Sequence, residues 1–175
     1  MKYILIFILI LLIAGVGFSF TLPSEISISE STKIKSNPKE IEEKILDLKE
    51  WESWNEWKII DSTLNISFGE KDSGVGGRIY WGHKEAKENS ILLTNYIPNK
   101  LIEFNLVWNS GSDISPGKYE MEFNPKDTTT RLTLTHIREL GNNPIARIMG
   151  TMAESIYSEQ FKKSLNKLKS LVEKK

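Results

Sequence analysis

The 175-residue chain has no cysteine. Disulfides, thiolate nucleophiles and zinc-thiolate sites are thereby excluded, while the redox compartment stays open, because a cysteine-free protein tolerates either side of a membrane. Histidine is nearly as scarce. His83 and His136 are the only two, and neither has a second histidine or a cysteine at metal-ligand spacing, so neither a metal nor another cofactor is expected. Net charge is missing too: 23 lysines and arginines balance 23 aspartates and glutamates, which removes the field that draws a protein to nucleic acid. Serine-histidine-acid catalysis has no elbow motif to support it. The glycine-rich SGVGG at 73–77 lacks the dinucleotide spacing and a following Lys-Ser/Thr, and a strand follows it, so no nucleotide site is expected there.

Apolar residues, by contrast, are concentrated at one end. Tyr3 to Phe20 carries no charge, close to the ~20 residues that cross a hydrocarbon core. Lys2 and the small residues Gly15, Gly17 and Ser19 suit a cleavable secretory signal. An uncleaved single-pass anchor is preferred, because the run continues through Phe18 and Phe20 to Leu22. Residues 1–22 are therefore read as an anchor or signal segment and residues 23–175 as one domain, whose length and 39% hydrophobic content suffice for a single core. Lys2 and the free amine favour a cytoplasmic N-terminus and an extracytoplasmic domain.

Beyond the anchor the period changes. Glu25 to Ile34 alternates, with Ile26, Ile28, Thr32 and Ile34 on one face of a strand. Glu30 shares that face, and twist or a bulge is expected to carry it to the edge. Asn37, Pro38 and Glu40 form an N-cap, an N1 proline and a capping-box acid for a helix burying Ile41, Ile45 and Leu48. Glu42, Glu43, Lys44 and Lys49 read as its solvated face. Trp51, Trp54 and Trp57 recur every third residue on a short helical turn before the chain breaks towards Asp61, whose default role is in a turn or cap.

Six further strands follow: Leu64 to Phe68, Val75 to Trp81, Ile91 to Ile97, Leu101 to Trp108, Tyr119 to Phe123 and Arg131 to Ile137, joined by turn-like segments. Tyr119, Met121 and Phe123 alternate with Lys118, Glu120 and Glu122, as in a sheet with one wet and one covered face. The cover is a C-terminal helix capped by Asn143 and Pro144, of roughly 28 residues or about 40 Å. Its apolar stripe runs through Ile145, Ile148, Met149, Met152, Ile156, Phe161, Leu165, Leu168 and Val172.

The segments LPSEISISEST, NPKEIEEKILDLKEWESWNEW, SGVGGRIYW and IPNKLIEFNL, with the terminal helix, resemble the START-related SRPBCC superfamily in its polyketide cyclase/dehydrase branch. The resemblance covers the chain from Leu22 onward. It implies an α+β helix-grip fold, a seven-stranded antiparallel sheet wrapped around the long C-terminal helix with an apolar cavity between them. It implies binding of a lipid or other hydrophobic small molecule, with no single reaction. The candidate cavity aromatics are Trp54, Trp57, Trp81, Phe104 and Trp108. Ile79, Met121, Met149 and Met152 are the candidate aliphatic wall, and His136 and Arg138 the polar groups that would orient a ligand. The expectation is a membrane-tethered binding module. A cyclase-type enzyme using the same cavity, and a tethered interaction domain with a filled core, are the alternatives. Oligomeric state is not legible.

Overall fold

The computed structural model describes residues 1–55, 63–83, 89–108, 111 and 113–174. Trp57 and Asp61 lie outside the described residues. The elements are helix α1 (Lys2–Ser19), strand β1 (Glu25–Ile34), helices α2 (Pro38–Leu46) and α3 (Trp51–Trp54), strands β2 (Asn65–Phe68), β3 (Arg78–Gly82), β4 (Asn89–Ile97), β5 (Leu101–Trp108), β6 (Asp113–Asn124) and β7 (Thr129–Glu139), and helix α4 (Pro144–Glu173).

The strands form one antiparallel sheet in the order β1-β7-β6-β5-β4-β3-β2. The first strand thus pairs with the last, Ile26 opposite Arg138 and Ile28 opposite His136. Alternation decides which side is covered: Leu132, Leu134 and His136 are buried on β7, Tyr119 and Met121 on β6, Ile102 and Phe104 on β5. The hydrophobic ones, with α2, α3 and the second half of α4, make one core. The expected helix-grip architecture is therefore present.

Local chemistry explains the boundaries. The Asn37 side chain accepts the Glu40 amide at 3.1 Å, and the Glu40 carboxylate accepts from the Ser36 hydroxyl. Trp51 Nε1 donates to the Ile45 carbonyl at 2.8 Å and Trp54 Nε1 to that of Lys44 at 3.3 Å. Each tryptophan therefore buries its ring while satisfying an orphan carbonyl in the last turn of α2. Gly74 and Gly76, with φ of 61° and 87°, hold the turn before β3, so that strand starts at Arg78 and not at Val75. β6 begins at Asp113, six residues earlier than the sequence pattern suggests. Pro116 and Gly117 mimic a loop there, but Gly117 is a close-approach site: a Cβ on it would fall 2.3 Å from the Phe104 ring.

Two charged residues sit otherwise than expected. Glu42 is buried, accepting from the Tyr96 hydroxyl at 2.7 Å and the Asn99 amide at 2.8 Å. It ties α2 to the β4–β5 turn, where Asn99 has a left-handed φ of 62°. Glu30 stays on the inner face of β1 and accepts from the Ser158 hydroxyl of α4, with Lys162 Nζ at 3.5 Å. A partner on the covering helix removes the need for a bulge.

The stripe on α4 is really two. Ile145, Ile148, Met149, Met152 and Ile156 lie on one side of a 3.6-residue helix, and Phe161, Leu165, Leu168 and Val172 on the opposite side. The second set packs into the core, whereas the first is exposed.

Candidate functional site

The strand register places one end of every strand at a common rim: the start of β1, the end of β7, the start of β6, the end of β5, the start of β4, the end of β3 and the start of β2. A cavity of about 280 Å³ occupies that end, between the sheet and α4. Ile26, Ile28, Leu64, Ile91, Leu106 and Leu134 supply aliphatic wall, and Trp51, Trp81, Phe104, Trp108, Tyr119 and Phe161 the rings. Trp81 and Trp108 meet edge to face at 5.7 Å, and Trp51 stands perpendicular to Phe104 at 6.5 Å and to Tyr119 at 6.1 Å. Edge-to-face contact lets bulky rings close a wall without filling the space inside it.

Polar groups line the β5–β6–β7 side, and Asn55, His83 and Asn89 line the cavity near α3, β3 and β4. His136 Nε2 lies 3.0 Å from the buried Ser115 hydroxyl, and its ring meets Phe161 at 6.3 Å. Burial, with the Arg138 charge adding to it and Asp113 opposing, pushes the imidazole down to about 4. The ring is therefore neutral near pH 7, with one nitrogen a donor and the other an acceptor. Arg138 donates to Asp113 Oδ2 at 2.9 Å and lies 5.8 Å over the Trp108 ring. Trp108 Nε1 is buried and, among the described residues, lacks a hydrogen-bond partner. An unmet donor in a cavity wall is costly unless a ligand or water accepts from it. Among the described residues no group of three His, Cys, Asp or Glu side chains could hold a metal ion.

Of the candidates taken from the sequence, Trp81, Phe104, Trp108, His136 and Arg138 do line the cavity together. Trp54, Ile79 and Met121 are buried in the core and lie outside its lining. Met149 and Met152 are turned outward on α4, because the inner face of that helix is offset by half a turn from theirs. The candidates missed Trp51, Tyr119, Asn55, His83 and Asn89 and, on α4, Tyr157, Gln160 and Ser164, all of which line the cavity, and they missed Ser115, which lies behind His136. Ser115 has the parity of Tyr119 and Met121, a signal masked by Pro116 and Gly117. The α4 residues are spaced three and four apart, but the outward Ile-Met run is the stronger pattern.

A family model described as Activator of Hsp90 ATPase homolog 1-like protein matches residues 44–173. No curated protein sequence matches. Among solved structures, the Aha1 dimer from Colwellia psychrerythraea is 17% identical, with a TM-score of 0.58 over 85% of this chain and 97% of that one. Protein SA2116 from Staphylococcus aureus is 10% identical, TM-score 0.60, over 85% and 94%. Protein CV1439 from Chromobacterium violaceum is 13% identical, TM-score 0.57, over 85% and 98%. At such identities the likeness is one of fold.

Proposed function

This chain belongs to the Activator of Hsp90 ATPase homolog 1-like family, with an SRPBCC-type fold, and we propose that it is a membrane-tethered module that binds a hydrophobic small molecule or lipid between sheet and α4. The supporting observation is the cavity itself, lined mostly by aromatic and aliphatic residues, with a few polar ones, Trp108, His136 and Arg138 on one side and Asn55, His83 and Asn89 on another. Apolar walls would supply affinity and the few polar groups orientation. The volume of about 280 Å³ lies just below the usual range of ligand sites, roughly 300–1,000 Å³. It suits a single-chain or ring-sized apolar molecule carrying a hydrogen-bond acceptor rather than a two-tailed lipid. The same space argues against a filled core. For the tether, α1 is the one described helix long and apolar enough to cross a membrane, and its residues are almost all exposed. An extracytoplasmic domain remains the proposed orientation.

Native mass spectrometry of the detergent-extracted full chain tests this reading. A discrete small-molecule adduct is expected, and it should disappear in Leu106→Trp, which fills the cavity. An empty protein, or an adduct that survives the filling, would count against it.

A second reading, a cyclase-type enzyme, draws on the buried His136–Ser115 pair. A neutral imidazole bonded to a hydroxyl could exchange a proton with a cavity-bound substrate. Turnover of the identified ligand by the wild type, cut at least about 100-fold in His136→Gln, would favour it over simple binding.

A further inference from the structure

The first half of α4 carries an apolar face that none of the described residues covers. Ile145, Ile148, Met149, Met152 and Ile156 are between 38% and 71% exposed, along about 18 Å of helix. Contiguous apolar surface of this kind marks a contact site. Its boundary is sharp, since one turn on, the same face carries Glu159 and Lys163, which pair at 3.5 Å.

What covers the face is indicated by its neighbour. Arg147, buried on the opposite side of the same helical turn, donates through Nη1 to the carbonyls of Leu22 at 3.2 Å and Phe20 at 3.4 Å, and through Nε to that of Gly141 at 2.8 Å. Its guanidinium also lies 5.5 Å from the Phe20 ring. A buried guanidinium with four partners is a rigid clamp. It joins the exit of α1 to the start of α4, so the exposed stripe begins where the apolar helix ends. The strand register puts the cavity at this same end, beyond the first residues of β1.

We propose that the outer face of α4 from Ile145 to Ile156 is a second membrane-contact surface, seated in the bilayer interface beside α1 and holding the cavity end of the domain against lipid. This rests on the tether reading for α1 and goes beyond it, because a tether alone leaves the domain free to tumble. Lipid is the occupant because it already surrounds the adjoining helix, and an amphipathic stretch lying in the interface buries such a face without a partner protein. A short apolar ligand would then pass between bilayer and cavity without crossing open water.

The cysteine-free chain permits a single nitroxide at an introduced cysteine. Full-length Met149→Cys, Met152→Cys, Glu159→Cys and Leu9→Cys proteins, reconstituted in phosphatidylcholine-phosphatidylglycerol vesicles, are read by their relative accessibility to oxygen and to a water-soluble nickel chelate. The oxygen-to-nickel ratio is expected to be high at 9 and to exceed that at 159 by at least about threefold at 149 and 152. A high ratio at 9 with water-like values at 149 and 152 overturns the contact surface and leaves the tether standing. Water-like values at all four positions overturn both. Low accessibility to both reagents at 149 and 152, with spin-spin broadening, assigns the face to a second copy of the chain and also overturns the proposal.

Discussion

Single residues in this protein serve two requirements at once. Trp51 and Trp54 fill the core and close the end of α2 through their indole N–H groups. Glu42 is a buried carboxylate retained because two donors converge on it, and the Tyr96 phenol, partly desolvated and bonded to Glu42, is raised to about 12. Glu42→Ala should cost about 1–3 kcal/mol in urea denaturation, since the Tyr96 hydroxyl and Asn99 amide lose their acceptor. Its burial was not legible because its partners come from β4 and the β4–β5 turn, more than fifty residues away. His136 makes the protein sensitive to acid. Its folded value of about 4 lies below the unfolded ~6.5, so between those values the unfolded chain binds the extra proton. The stability held above about pH 6.5 is then lost as pH falls towards 4, a loss of order 3 kcal/mol. Denaturation midpoints across that range should show the slope in the wild type and a reduced one in His136→Gln.

Elements were legible where one period dominated. The seven strands, both proline-started helices and the Asn37 and Asn143 caps follow from alternation and capping chemistry, and Asn143 Oδ1 indeed accepts the Ile145 and Ala146 amides at 3.0 and 3.2 Å. Two elements carried conflicting signals. β6 contains a proline and a glycine, residues that ordinarily end a strand, yet Gly117 is needed where the Phe104 ring lies against the backbone. Gly117→Ala should push that ring into the cavity or strain the strand, costing about 1–3 kcal/mol and weakening binding, as thermal denaturation and ligand titration would report. α4 holds two apolar stripes on opposite faces, and a linear list of its apolar residues merges them.

At the scale of the whole molecule, the closing pair β1–β7 brings the chain's first strand beside its last and so sets Ile26 and Ile28 across from Arg138 and His136. That single pairing builds one wall of the cavity from opposite ends of the sequence. A ligand that binds the folded cavity and not the unfolded chain should raise unfolding free energy by about 2.7 kcal/mol at a concentration 100 times its Kd. Calorimetry of the protein with and without the co-purified molecule checks this, and no shift is expected in Leu106→Trp.

By itself the sequence determined the seven-strand and long-helix architecture, because alternation and capping are properties of neighbours along the chain. The tertiary structure alone decided that Ser115 meets His136, that Glu42 is buried, that Met149 and Met152 leave the cavity, and that Arg147 joins two ends of the chain. Each of these depends on which distant residues come into contact, and on rotations of a helix by half a turn. Local patterns leave both unspecified.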